Sequence, residues 1–149
     1  TRFHSSSSGD PVKRLPQNSL WPAVWQVLVL DSVLVDSLPK TLFLLPNLVG
    51  LGLTNCGLTA LPANLGGLFA LRELRLDNNH LNGLPRSFSR LKNLEYLSLR
   101  NNQITKLPEE IAFLKKLQTL DLRGNPVDQR HIDFLKALIP KVRILYDTE

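Results

Sequence analysis

A motif that recurs every 23 residues constrains the fold of this chain more than any other feature. Its clearest copy runs from Leu94 to Leu117 and reads LEYLSLRNNQITKLPEEIAFLKKL. The three core positions that open successive copies are Leu48, Leu51 and Leu53; Leu71, Leu74 and Leu76; Leu94, Leu97 and Leu99; and Leu117, Leu120 and Leu122. A chain with one fixed period folds as a stack of equivalent units, each stabilised by its neighbours.

The repeat register divides the chain into parts. Stepping back by the same period finds a degraded copy, so residues 25–127 are predicted to hold five repeats. Residues 12–24 carry a half repeat or N-terminal cap, within a single domain predicted to span 12–147. Residues 1–11 contain a serine run, a glycine and a proline, which predicts a flexible tail or linker.

The C-terminal segment, residues 128–147, is predicted to cap the stack. Asp128 is a candidate N-cap for a helix over Gln129–Ile139, which Pro140 ends. Val142 and Leu145 then repeat the first two core positions at a step of 25 residues.

Each repeat is predicted to begin with a short strand whose alternate leucines point inward. The asparagine that follows the strand has a structural task, because its amide can satisfy backbone groups in the tight turn. This position is filled by Cys56, Asn79, Asn102 and Asn125. A Leu-Pro pair then redirects the chain, since proline fixes φ.

These residues resemble the leucine-rich-repeat family, and within it the class with the consensus LxxLxLxxNxLxxLPxxhxxLxx. The resemblance implies an α/β fold: a right-handed solenoid with a parallel concave β-sheet, short helices or turns on the convex side, and a C-terminal helical cap. It also implies that a protein partner binds on the concave face of the sheet.

The outward residues of the strands form columns across that face. It is apolar and flat around its valines and glycines, and charged farther along, with a tyrosine between. Tyrosine and arginine are frequent interface hot spots. The alternative is a solvated face on which Arg75 and Arg100 form weak salt bridges with Glu73 and Asp77. The candidate partner-binding residues are Val27, Val29, Glu73, Arg75, Asp77, Tyr96, Ser98, Arg100, Asp121 and Arg123.

No enzyme constellation is visible in the sequence. His4, His80 and His131 fall in unrelated parts of the pattern without a metal-ligand or triad arrangement, and no phosphate-binding loop is present. We therefore expect no catalysis, no cofactor and no bound metal.

The predicted function is a non-catalytic protein–protein interaction module, a scaffold or regulatory domain. The alternative is the substrate-recognition arm of a larger enzyme or of a bacterial effector. A net charge of +5 and a pI near 9.7 also raise an RNA-binding interpretation, but the basic residues are scattered among acidic ones, which argues against nucleic acid.

Two expectations concern location. No apolar run approaches the ~20 residues that cross a bilayer, so membrane insertion is not expected. The single cysteine, Cys56, cannot form an internal disulfide, which favours a reducing, cytoplasmic location, with secretion as an effector as the alternative. Partner identity and oligomeric state are left open.

Overall fold

The computed structural model describes residues 2–6, 25–33 and 38–148, and for 2–6 the backbone alone. Within these ranges the chain forms one parallel sheet of seven strands, whose spatial order follows the sequence order. The strands are β1 (Arg2–Ser6), β2 (Val27–Asp31), β3 (Gly50–Thr54), β4 (Glu73–Arg75), β5 (Tyr96–Ser98), β6 (Thr119–Asp121) and β7 (Arg143–Leu145).

The register of β2–β6 confirms the columns expected from the 23-residue period. Val27 pairs with Gly50, Gly50 with Glu73, Glu73 with Tyr96, and Tyr96 with Thr119. Between them the predicted inward leucines stack in two ladders and are 2% exposed or less: Leu28, Leu51, Leu74, Leu97 and Leu120, and Leu30, Leu53, Leu76, Leu99 and Leu122.

The convex side is built from short 3₁₀ helices. In the described residues these are Lys40–Leu44, Ala63–Gly67, Arg86–Arg90 and Glu109–Phe113. Each begins directly after the proline of a Leu-Pro pair, and that proline has φ between −63° and −72° and an extended ψ. The fixed φ of proline therefore turns the chain from the sheet to the convex side at the same point of every repeat.

The asparagines that follow the strands satisfy backbone groups as predicted, and they form a ladder that joins neighbouring repeats. Asn79 Oδ1 accepts hydrogen bonds from the backbone amides of Cys56 (3.0 Å) and Leu58 (3.1 Å), one repeat earlier. Its Nδ2 donates to the carbonyls of Leu53 (2.7 Å) and Leu76 (3.0 Å). Buried backbone groups that would otherwise lack partners are satisfied in this way.

The same position is filled differently in the preceding repeat. The thiol of Cys56 donates to the carbonyls of Leu30 and Thr54, both at 3.4 Å. Burial raises the pKa of Cys56 to about 11, so it is a neutral, weakly donating side chain at neutral pH.

The C-terminal helix α1 covers Gln129–Leu138, one residue shorter than predicted, and the Asp128 side chain caps it by accepting from the His131 amide. The predicted register of the last strand is wrong. Ile144 pairs with Leu120, a step of 24 residues, whereas Leu145 pairs with Asp121. Because strand side chains alternate faces, Ile144 packs against the core instead of Leu145.

The prediction of a flexible tail over residues 1–11 is wrong for Arg2–Ser6. These residues form β1, which pairs in parallel with β2 from Arg2–Val27 to Ser6–Asp31. The edge of β2 presents unpaired backbone donors and acceptors, and a strand can satisfy them whatever its side chains. The predicted half repeat over 12–24 and the rest of the predicted tail lie outside the described residues.

In the part of the chain that the structure describes, no helix is long and apolar enough to cross a membrane. The fold-class prediction is confirmed: an open parallel sheet, short convex helices and a C-terminal helix form a leucine-rich-repeat solenoid.

Candidate binding surface

The concave face, defined as the outward residues of β2–β6 together with Asp77, Arg100 and Arg123, differs from the prediction at two positions. Most candidate residues are at least partly exposed, but Ser98 is 0% and Asp121 is 1% exposed. Strand alternation correctly predicted their direction, but it could not predict that both side chains are buried. A partner can therefore contact neither residue directly.

Ser98 positions a carboxylate that is accessible. Its hydroxyl donates to Asp77 Oδ1, and the backbone amide of Arg100 donates to the same oxygen at 3.0 Å. Asp77 is thereby fixed across two repeats.

Asp121 is the buried anion of this face. Arg123 donates two hydrogen bonds to it, from Nε to Oδ1 at 2.9 Å and from Nη2 to Oδ2 at 2.6 Å. Arg100 Nε lies 3.9 Å from Oδ2, so the Arg100 side chain pairs with Asp121 and not, as predicted, with Asp77. Burial alone raises the pKa of Asp121, but hydrogen bonds from Arg123 and the charges of both arginines lower it below its usual value. Asp121 is therefore ionised at neutral pH.

In the middle of the face, Arg75 and Tyr96 are held in fixed positions and form what we call the Arg75–Tyr96 wall. Arg75 forms the predicted ion pair with Glu73, and its guanidinium lies 5.0 Å from the centre of the Tyr96 ring. The Glu73 hydrogen bond raises the pKa of Arg75, while partial burial opposes that rise. The cation–π contact and the ion pair together hold Arg75 and Tyr96 side by side.

Next to this wall is a groove of about 480 Å³. Gly50 and Gly52 of β3 form its floor. Val27 and Val29 of β2 border it on the side opposite the Arg75–Tyr96 wall. The two glycines were recognised as flat positions but were not among the candidate binding residues.

Sequence reasoning also missed the rim of the groove. Arg72 and Glu95 line it and form an ion pair at 2.9 Å. The 23-residue spacing between them was the available signal, because residues one period apart are neighbours in adjacent repeats.

A second concavity, of about 890 Å³, lies where the cap helix meets the last convex helix. Phe113 and Phe134 are 53% and 40% exposed there, but the charges around them are of both signs, with Arg86 paired to Glu110 at 3.4 Å. It has no sequence signal, because its residues come from separate parts of the chain.

Within residues 25–33 and 38–148, no three His, Cys, Asp or Glu side chains are grouped so that they could hold a metal ion. The surface can offer shape, apolar area and fixed charges to a partner.

Comparison with known proteins agrees with this architecture. A family model described as "Leucine rich repeat" matches residues 69–127. A leucine-rich-repeat protein of Leptospira interrogans is 39% identical with a TM-score of 0.73, over 78% of this chain and 31% of that one. InlP of Listeria monocytogenes is 28% identical with a TM-score of 0.65, over 75% of this chain and 31% of that one.

The chain thus spans just under a third of the length of these two solved relatives. No curated protein matches it. Repeats of this kind generally serve as protein–protein interaction modules, and the 23-residue class stays a prediction. The repeats, the sheet and the matches show that the chain belongs to the leucine-rich-repeat family.

Proposed function

We propose that this domain is a non-catalytic interaction module that binds a protein partner on the concave face, in a scaffold or regulatory role. The observation that carries the proposal is the groove over Gly50 and Gly52, which lies directly beside the Arg75–Tyr96 wall. Apolar floor, aromatic ring and arginine are the features that dominate binding energy at protein interfaces.

The rigidity of the face supports the proposal. Its side chains stand on hydrogen-bonded strands, and the Arg75–Glu73 and Arg123–Asp121 pairs already hold their arginines in place. Less side-chain freedom is lost when a partner binds a surface that is ordered beforehand, so more of the contact energy appears as affinity.

One alternative has support of its own. Both solved relatives are bacterial proteins, and the chain spans only 31% of each. The domain would then be the recognition arm of a larger bacterial effector or enzyme. The full reading frame distinguishes the two, because only the alternative requires a catalytic domain on the same chain.

The proposal is tested with a matched pair of double variants. Tyr96→Ala with Arg100→Glu alters the concave face. Phe69→Ala with Arg90→Glu makes the same kind of change in the convex half, where Phe69 is 59% exposed and Arg90 is also exposed. Each purified domain is used to capture proteins from a cell extract, and the captured proteins are quantified by mass spectrometry.

We expect a defined set of proteins to be lost with the concave variant and retained with the convex one. Thermal melting establishes that both variants fold. Loss of the same proteins from both variants, or retention by both, contradicts binding on the concave face.

A further inference from the structure

The groove of the concave face exists because β3 has glycine at both outward positions, whereas β2 and β4–β6 have side chains at theirs. The backbone does not demand these glycines. A Cβ on Gly50 would lie 3.4 Å from Val27 and a Cβ on Gly52 would lie 3.5 Å from Val29, which are ordinary contacts, and neither glycine has a positive φ. Since a Cβ would meet only ordinary contacts at both positions, the backbone does not require a bare strip here, and the strip is a candidate for receiving a side chain of a partner.

The strip suits a large apolar side chain. Its floor is glycine backbone, one border is Val27 and Val29, and the opposite border includes the Tyr96 ring. The polar groups nearest to it, Glu73 and Arg75, already satisfy each other, so an apolar group seated there leaves no charge without a partner.

Two arginine side chains are exposed at the other end of the face, where Asp77 and Asp121 supply negative charge. Arg100 and Arg123 are exposed, whereas Asp121, the acid between them, is 1% exposed. Arg123 uses two donors on Asp121, but Arg100 approaches it only to 3.9 Å, beyond hydrogen-bond distance. The Arg100 guanidinium therefore has donors available for a carboxylate from outside, in the planar geometry that carboxylates bind well.

The distance between the two ends fixes a spacing. Strands lie ~4.8 Å apart, so the strip on β3 is roughly 10–14 Å from arginines that follow β5 and β6. An extended segment advances about 3.3 Å per residue, so three or four residues cover that distance.

We propose that the concave face binds an extended protein segment in which a large apolar side chain, seated over Gly50 and Gly52, is three or four residues from an acidic side chain that pairs with Arg100. This inference rests on the proposed function, because it specifies the partner of the same face.

The probe is a phage-displayed library of random twelve-residue peptides. It is selected on the wild-type domain and, in parallel, on Gly52→Leu, which adds a side chain to the strip and whose Cβ makes only an ordinary contact with Val29. We expect peptides enriched only on the wild type to combine an aromatic or large aliphatic residue with Asp or Glu three or four positions away. Enrichment without that pattern, or equal enrichment on both proteins, overturns the inference.

The acidic contact is then tested with one enriched peptide, synthesised with a fluorescent label, and with its Asn or Gln analogue. By fluorescence anisotropy, Arg100→Gln is expected to weaken binding of the acidic peptide at least fivefold and to leave the neutral analogue within twofold. Arg130→Gln, on the exposed surface of α1, is the matched control and is expected to change neither. An equal effect of Arg100→Gln on both peptides overturns the assignment of Arg100.

Failure of this inference is distinguishable from failure of the proposed function. If captured proteins depend on the concave face but the peptide pattern is absent, only the chemistry assigned to the partner is wrong. If the captured proteins are indifferent to concave-face substitutions, the proposed function itself fails.

Discussion

The backbone amide of Leu107 donates a hydrogen bond to Nε2 of His131 over 2.9 Å, which ties the cap helix to the last full repeat. His131 is 9% exposed and its ring stacks on Phe134 with the centroids 5.6 Å apart. Nε2 can accept only when the ring is neutral, with its proton on Nδ1. Burial, with a smaller effect of Lys106, lowers the pKa of His131, although Asp128 opposes the shift.

This bond predicts a pH-dependent stability. The folded-state pKa lies below the unfolded value of about 6.5, so the unfolded chain binds more protons in the interval between the two. The contribution of His131 is therefore complete above about pH 6.5 and is lost as the pH falls toward the folded-state pKa. Urea titrations between roughly pH 5 and pH 8 are expected to show a falling free energy of unfolding below pH 6.5.

Two variants distinguish the contribution of His131 to the pH profile from that of His80. His131→Gln removes the titrating group while leaving a side-chain oxygen as acceptor, and it is expected to flatten the profile. His80→Gln changes an exposed histidine and is expected to leave the profile unchanged. A profile that flattens with His80→Gln, or persists with His131→Gln, contradicts this explanation.

The asparagine ladder predicts unequal costs for the same substitution. Asn79 makes five hydrogen bonds to backbone groups and is 3% exposed, whereas Asn125 makes three and is partly exposed. Asn79→Ala leaves buried donors and acceptors unpaired, which costs about 1–3 kcal/mol for each group that water cannot reach. We expect denaturant titration to give a loss on the order of 3 kcal/mol for Asn79→Ala and clearly less for Asn125→Ala. Equal losses would falsify the assignment of Asn79 to a fully desolvated turn.

The leucine ladder predicts a cavity effect at its centre. Leu97 is 0% exposed and faces inward between Leu74 and Leu120. Leu97→Ala is expected to reduce the free energy of unfolding by about 2–5 kcal/mol, as other large-to-small core substitutions do. The exposed neighbour Gln118→Ala is the control, with an expected change within about 0.5 kcal/mol. A loss below about 0.5 kcal/mol for Leu97→Ala contradicts its inward position.

These residues also show how far the sequence alone reaches. Leu97 and Asn79 could be predicted because a period of 23 assigns each residue a direction and a neighbour, and the register of β2–β6 follows from it. Prediction failed where the period stops. Ile144 replaces Leu145 in the core because α1 lies between β6 and β7, and β1 comes from a segment without the repeat pattern.

The sequence predicted which side chains point to the concave face, but it did not predict which of them are buried. The sequence places Ser98 and Asp121 on the concave face, yet both are buried, and the burial of Asp121 depends on the side-chain conformations of Arg123 and Arg100. Periodicity carries no information about those conformations. The sequence did indicate the groove, because Gly50 and Gly52 lie in one strand. It did not indicate that the Arg75–Tyr96 wall stands directly beside them.

A last prediction concerns the turn after β6. Asn55, Asn78 and Asn101 occupy the left-handed region with φ of 53° to 56°, and Gly124 continues the series with φ of 75°. Asn101 Nδ2 donates to Asn78 Oδ1 at 2.8 Å, which aims its Oδ1 at the next repeat. A Cβ on Gly124 would clash with that oxygen and would lie 3.0 Å from the backbone nitrogen of Asn101.

Gly124→Ala is therefore expected to destabilise the domain by about 1–3 kcal/mol, through its positive φ and through the displacement of Asn101. Adding Asn101→Gly removes the obstructing oxygen and is expected to recover part of the loss, while the cost of the positive φ stays. Gly83→Ala is the matched control, since its nearest neighbour is 4.0 Å away and its φ is not positive. Thermal melts of the three variants separate the two causes, because no recovery in the double variant would mean that backbone strain alone accounts for the effect.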